Sequence, residues 1–533
     1  MLLALILIFA GWRTWRRLRY FLHIFQLEGY KLNEFRAWLG SRGRGLLATP
    51  SHGFGAALLA LLAASGEITW IPLAIGIAWM ITFASAWRYL RAKTKKPLAF
   101  TNRMKRLTAT AGLVTALPVV IGVVGFVVLD GWPAWAAALA GHGLADLGVP
   151  LWVYLAGLIN TPIEQSVQNG FKRQAKNHLA SRPDLTVIGI TGSYGKTSVK
   201  FAVAELLKQR FNVLATPGSY NTPMGICLVV NNKLQPQHQM LVLEMGARYT
   251  GDIRELCELA QPDISIVTSV GIAHLETMGP IENIARVKGE LVRHMKPGGP
   301  VILNGDDHRV LAMRDDAQGP VYTVSTGANP EADFVAGGIS YGPDGARFLV
   351  RDTRSGEEAE FTTQLLGRHN VLNVLLAVAV GSHFGLRLRQ MAYAAGRLEP
   401  VEHRLQLRQQ GPLTVIDDAF NSNPVGARNA VEILGQFTTG RRILITPGMV
   451  ELGERQETEN QAFGTYAASH IDLALLVGDQ QTRPIQTGLR EAGFPEADLH
   501  VFDSLFDAQA YLNAHARPGD VVLYENDLPD QYG

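Results

Sequence analysis

A helical membrane domain followed by two α/β domains is the fold class that three features of this 533-residue chain predict. Long uncharged runs crowd the first 160 residues, and from Asp184 onward short β-branched runs alternate with helical stretches. Charge divides along the same line. Residues 1–180 hold 19 Lys and Arg against 6 Asp and Glu, a net of +13, and the remaining residues hold 30 against 41, a net of −11. Apolar residues make up 47 % of the chain and charged residues only 18 %, which excludes a disordered chain. The two cysteines, Cys227 and Cys257, are too few for a disulfide framework or a cysteine-only metal cluster. The basic residues lie beside apolar runs instead of on a globular face, which argues against a nucleic-acid partner.

In the front part, Leu2–Trp12 is a short apolar run that predicts an anchor helix ending at Arg13. Gly45–Ser65 and Ile68–Trp87, separated by Glu67, and then Leu107–Leu129, are each long enough as helices to cross about 30 Å of hydrocarbon. Gly131–Asn160 is interrupted by Asp146 and Pro150, so it is either a further span or an interfacial helix. Arginines and lysines gather after the first run, between Arg88 and Arg106, and at Lys172, Arg173 and Lys176, whereas the other connections carry only Glu67 and Asp130. The positive-inside rule then gives about five spans in the cell membrane, a lipid bilayer as partner, and the rest of the chain in the cytoplasm. Residues 1–165 are the expected membrane domain, and residues 166–183 a basic helical linker.

Leu185–Ile190 is a buried-strand pattern that runs into Thr191-Gly192-Ser193-Tyr194-Gly195-Lys196-Thr197-Ser198, and Val199–Arg210 has a helical pattern. Strand, glycine loop and helix are the context of a phosphate loop. Its glycines let backbone N–H groups approach phosphates, and the helix N-terminus adds partial positive charge. Lys196 is placed to neutralise the β- and γ-phosphates of ATP, and the Thr197 hydroxyl to ligate Mg²⁺. The spacing departs from the usual pattern in having Ile190 at the first glycine position. Later strand signals end in polar groups: Gln239–Leu243 before Glu244, Ile264–Val270 before His274, and Val301–Leu303 before Asn304. In open α/β sheets ligands bind at such carboxyl ends, and a carboxylate beside an imidazole can hold a metal there. Residues 184–395 thus read as a mostly parallel ATP-binding domain, with Asp333–Gln364 as a β-hairpin insertion. Residues 396–533, with strands at Leu413–Ile416, Arg442–Ile445, Leu473–Val477 and Val521–Leu523, read as a smaller Rossmann-like domain.

TGSYGKT at 191–197, EMGA at 244–247, VGIAHLE at 270–276, ARVKGE at 285–290, GRHNVLN at 367–373 and DDAFNSNP at 417–424 occur in that order. As a set they resemble the Mur ligase superfamily over residues 184–533. The resemblance implies ATP-dependent amide-bond formation through an acyl phosphate, between a carboxylate-bearing cell-wall precursor and an amino-acid or dipeptide amine. DDAFNSNP and PGMVELGE at 447–454 most resemble the members that add D-alanyl-D-alanine to a muramoyl tripeptide. It further implies that Lys196, Lys288 and His274 are catalytic, and that Thr197, Glu244, His274 and Lys288 serve the magnesium sites, with the lysine carbamylated. Asn221 would lie near the γ-phosphate, His369, Asn370 and Asn373 near adenine, and Arg404 and Asp418 in the third domain closing over the nucleotide.

One departure stands out. Family members in the cytoplasm carry a soluble N-terminal domain for a UDP-sugar substrate, and here only residues 166–183 lie between the membrane domain and the ATP-binding domain. A lipid-linked or poly-glutamate-type acceptor is therefore an alternative substrate, and an ATP-driven transporter an alternative of another class.

Overall fold

The computed structural model describes residues 2–526 apart from 42–46, 48, 66–69, 85–96, 272–274, 343, 344, 401, 402, 404, 420, 421, 439 and 451. It divides into two compact units, residues 1–170 and 171–533.

The first unit is helical: α1 (Leu2–Leu27), α2 (Leu32–Ser41), α3 (Pro50–Ala64), α4 (Ile71–Ala84), α5 (Asn102–Val128), α6 (Gly131–Leu147) and α7 (Val149–Ala180), which runs past the unit boundary. The expected anchor helix does not stop at Arg13; α1 continues for 26 residues, and Arg13 and Arg17 are buried on it. They can be buried because Asp146 on α6 meets both guanidinium groups, at 3.3 and 3.5 Å, together with His52 at 2.8 Å. At 27 residues, α5 is about 40 Å long and is the one helix among the described residues that is itself long and apolar enough to cross a membrane. The described parts of the two preceding runs, α3 and α4, are shorter at 15 and 14 residues. The Gly131–Asn160 run is not one straight helix: α6 and α7 meet at Gly148 with a 67° bend. Glycines let α5 and α6 cross closely, since a Cβ at Gly122 would lie 2.6 Å from the Ala137 carbonyl and one at Gly141 2.4 Å from that of Pro118. The expected linker is helical, but as a continuation of α7 with Pro162 inside it.

The second unit holds two sheets. The first has nine strands: β1 (Thr186–Thr191), β2 (Val213–Ala215), β3 (Met240–Glu244), β4 (Ile264–Val267), β5 (Val301–Asn304), β6 (Val321–Ser325), β7 (Phe334–Gly342), β8 (Gly345–Asp352) and β9 (Glu358–Thr363). Their order is β2-β3-β1-β4-β5-β6-β7-β8-β9, parallel as far as β7 and antiparallel beyond. The expected hairpin insertion is instead a three-strand extension of that sheet. Val324 pairs with Phe334, and the inward Phe334, Phe348 and Phe361 join the main core. Alternation made the segment look self-contained, whereas its apolar side needed a cover.

One face of this sheet carries α8 (Lys196–Leu207) and the other α9 (Pro223–Lys233), α10 (Asp252–Ala260) and α11 (Ile281–His294). The helix α12 (Arg368–His383) is buried from Val371 through Gly381 on nearly every side, as its unbroken apolar run requires. After α13 (Leu388–Ala395) come β10 (Gln406–Gln410), β11 (Leu413–Asp418), α14 (Pro424–Gly435), β12 (Arg442–Thr446), α15 (Gln456–Ala467), β13 (Leu473–Val477), α16 (Asp479–Glu491), β14 (Leu499–Phe502), α17 (Leu505–His515) and β15 (Val521–Glu525). The second sheet, ordered β10-β11-β15-β12-β13-β14, is parallel except for β10.

Candidate active site

The loop between β1 and α8 is held by its neighbour strand. Ser193 N–H donates to the Ser269 carbonyl at 2.8 Å, Tyr194 N–H to Ser269 Oγ at 3.0 Å, and Thr268 Oγ1 to the Tyr194 carbonyl at 2.5 Å. Gly195 precedes α8 with φ +80°, and a Cβ there would lie 2.6 Å from Asn373 Oδ1, so the position demands glycine. Lys196 Nζ turns back to the carbonyls of Gly192 and Ser193 at 2.7 and 3.1 Å. This posture places a cation over a loop whose amides precede a helix N-terminus, which suits a polyphosphate.

Behind the loop lies a buried polar cluster at the carboxyl end of β3. Thr197 Oγ1 donates to Glu244 Oε2 at 2.9 Å, Asn221 Nδ2 to Oε1 at 3.0 Å, and Lys200 Nζ stands 3.2 Å from Oε2. Burial by itself would raise the Glu244 carboxyl. Lys200 and Lys196, with the bonds from Asn221 and Thr197, instead hold it below the ordinary carboxylate range. Lys288, on α11, is buried, and that burial, reinforced by Lys196, pushes its amine down to about 7 against the opposing pull of Asp252 and Glu290. Cys227 and Cys257 are buried and belong to no metal-ligand set among the described residues, and burial pushes the Cys257 thiol up to about 12.

A cavity of about 250 Å³ opens beside the loop. Tyr194 and Gly195 line it from the loop, Ser198 from α8, His369, Asn370 and Asn373 from α12, and Asp418 from β11. The α12 amides are pre-set: Asn370 Nδ2 donates to the Leu366 carbonyl at 2.8 Å and Asn373 Nδ2 to Asn370 Oδ1 at 3.1 Å. Asp418 Oδ1 accepts from the Leu405 N–H at 3.0 Å. Of the residues singled out in the sequence, Tyr194, Gly195, Ser198, His369, Asn370, Asn373 and Asp418 line this cavity and Thr197, Asn221 and Glu244 form the cluster behind, while Gly192, Ser193 and Lys196 hold the loop itself and Lys288 stands in neither group. His274 and Arg404 lie outside the described residues.

Sequence reasoning missed Lys200, Asn423 and Asn429. Lys200 had a signal, because it follows Lys196 by four residues and shares its helix face. Asn423 stands inside the quoted DDAFNSNP stretch, where its side chain accepts from the Gly426 N–H at 2.9 Å and caps α14. Asn429 had none, since the fold alone brings its helix to the cavity, whereas Asn304 lines it from the end of β5, one of the strand ends singled out in the sequence.

The same two-domain order recurs in known proteins. The Mur ligase middle domain matches residues 190–381, and the Mur ligase glutamate ligase domain residues 403–524. The UDP-N-acetylmuramoyl-tripeptide–D-alanyl-D-alanine ligase of Mycobacterium tuberculosis is 36% identical over 361 residues, covering 64% of this chain and 70% of that one. The ligase of the same name from Bacillus subtilis is 29% identical over 343 residues, covering 64% and 72%. A crystal structure of MurF from Acinetobacter baumannii superposes with a TM-score of 0.61 at 25% identity, covering 68% of this chain and 78% of that one. On these matches, which take in the loop, the carboxylate closing β3 and the helix and strand that line the cavity, this chain belongs to the Mur ligase family.

Proposed function

We propose that the protein is an ATP-dependent ligase of peptidoglycan precursor synthesis that joins D-alanyl-D-alanine to the free carboxylate of a muramoyl tripeptide. The observation that carries the reading is the phosphate loop backed by the Thr197–Glu244–Lys200 cluster. A substrate carboxylate oxygen attacks the γ-phosphorus of ATP, and the bond to the β,γ-bridging oxygen breaks. The products are an acyl phosphate and ADP. The amine of the dipeptide then attacks the acyl carbon, the C–O bond to phosphate breaks, and the amine gives up a proton. Lys196 and the loop amides hold the charge that spreads over the transferring phosphoryl group, while His369, Asn370, Asn373 and Asp418 enclose the base.

The donor set fits magnesium. Thr197 and Glu244 offer a hydroxyl and an ionised carboxylate to one buried point, and hard oxygens of this kind suit a hard cation. A Lys288 amine held down to about 7 is partly neutral near neutral pH. It can therefore add CO₂, forming an N–C bond and releasing a proton, and so become an anionic oxygen donor. His274 completes the proposed set. Bound Mg²⁺ would supply charge neutralisation at the phosphates.

Residues 1–170 are read as a membrane unit with the basic loops and the ligase domains on the cytoplasmic side. Support comes from α5, whose Leu113, Leu117, Ile121, Val124 and Val128 are all more than half exposed along one side. That unit precedes the ligase domains directly, which favours a second reading in which the acceptor is lipid-linked.

The test is incubation of the purified full chain with ATP, labelled D-alanyl-D-alanine and either a UDP- or a lipid-linked muramoyl tripeptide, with the product identified by mass. Lys196→Ala should abolish the product with the fold intact. Undiminished amide formation by that variant overturns the assignment.

A further inference from the structure

We propose that a cavity at the basic end of α5 binds the hydroxyl- and amide-bearing glycosyl headgroup of a membrane amphiphile, an inference that rests on the membrane reading of residues 1–170. The cavity measures about 190 Å³ and lies between the start of α5, the middle of α7 and Tyr30. Ligand pockets for drug-sized molecules begin at about 300 Å³, so this one takes a single headgroup-sized moiety and not a nucleotide.

Its chemistry follows from Asn160 on α7, a residue only 4% exposed. Asn160 Nδ2 donates to the Ala156 carbonyl at 2.8 Å. That bond sets the amide, because the flipped form would bring two oxygens face to face. Asn160 lines the cavity, and its Oδ1 accepts no hydrogen bond among the described residues. That leaves its carbonyl oxygen open to a donor. Thr161, next along α7, has its proton committed to the Gly157 carbonyl at 2.8 Å and can offer only lone pairs.

Glu164, one turn on, is buried too, and Arg106 and Arg103 stand 2.7 and 3.8 Å from its carboxylate. Arg103 also lies 4.2 Å over the Tyr30 ring. Arg103 and Glu164, the charged residues of the lining, stand 3.8 Å apart, so an anion entering the cavity would meet the Glu164 carboxylate as well as the Arg103 guanidinium. Hydroxyls and amide N–H groups both donate and accept, and the amides of Gln165 and Gln168 on the same helix answer them in kind. Phe25 and Leu107 supply an apolar side for the C–H face of a sugar ring. Leu107 also opens the uncharged stretch of α5, so the cavity lies where a headgroup meets hydrocarbon.

The test uses the full chain in phosphatidylcholine nanodiscs with a diazirine-bearing N-acetylglucosaminyl amphiphile. After irradiation the label should map to residues 157–168. Asn160→Leu, similar in shape and lacking the acceptor, should lower labelling roughly five-fold, the worth of one neutral hydrogen bond, with helicity and ATP hydrolysis unchanged. If Asn160→Leu lowers the melting midpoint, Gln168→Ala, at a half-buried position, should give the same loss. Equal labelling in these variants, or by a probe with a bare phosphate head, overturns the site. Displacement by free N-acetylglucosamine at equal concentration overturns the membrane source. Liposome flotation separates the two readings: a chain that does not float removes the membrane reading, and one that floats with Asn160-independent labelling removes only the cavity.

Discussion

At the scale of single residues, Glu525 closes β15 wholly buried, with Thr446 Oγ1 donating to Oε2 at 2.8 Å and Ser422 Oγ bonded to Oε1. Burial pushes its carboxyl up to about 7, the two hydroxyl bonds opposing that and Asp418 in the neighbouring strand adding to it. A carboxyl whose folded value is raised destabilises the fold progressively as pH climbs from the unfolded value near 4.5 to about 7, by roughly 3 kcal/mol in all. Glu525→Gln removes the titration. The melting midpoint of the variant relative to the parent should therefore be higher at pH 8 than at pH 5, and a difference independent of pH would show that Glu525 does not ionise in this window. Lys288 supports a second expectation. If it serves as a carbamate, Lys288→Ala should lose activity roughly 100-fold with little change in ATP affinity, and acetate or formate should restore part of the rate. Full activity, or loss of ATP binding alone, would return Lys288 to the status of a structural lysine.

At the scale of elements, the helices of the first unit are joined through one carboxylate. Asp146 on α6 meets Arg13 and Arg17 from α1 and His52 from α3, and accepts from Thr14 Oγ1 at 3.0 Å. Removing one partner of a buried ion pair costs about 3–5 kcal/mol, because the remaining charges stay buried. Asp146→Ala should accordingly lower the unfolding midpoint in detergent more than Asp146→Asn, which keeps an acceptor for Thr14. Equal effects would mean that the hydrogen bond from Thr14 contributes nothing and that the whole loss is that of the carboxylate charge. The α5–α6 crossing makes a separate demand. Gly141→Leu would drive a side chain into the Pro118 carbonyl, and the two helices would have to part.

At the scale of the whole molecule, the expectation is orientation. An engineered cysteine at position 67 should react with an impermeant maleimide from outside intact cells, and one at position 95 only after permeabilisation. Cys227 and Cys257 are buried and leave a low background. The reverse pattern would invert the topology.

Much of the ligase half was legible in the chain. A β-branched run into Gly-x-x-Gly-Lys-Thr predicts β1, the loop and α8 because a strand, a tight glycine turn and a helix dipole are local consequences of residue type. The alternation of apolar runs likewise predicts two mostly parallel sheets. Other features depended on contacts between residues far apart in sequence. Lys288 gained its low amine value only when α11 packed into the core, and Asn429 and Glu525 took their places only when strands and helices distant in sequence met. The 334–363 segment became part of the main sheet because its phenylalanines needed the cover of the larger core. In the first half, uncharged length predicted helices, but the burial of Arg13 and Arg17 turned on an aspartate more than 120 residues away. Local propensity and periodicity act over a turn or a strand and are written in the chain; charge pairing, desolvation and shared cores act through space, and only the fold determines them.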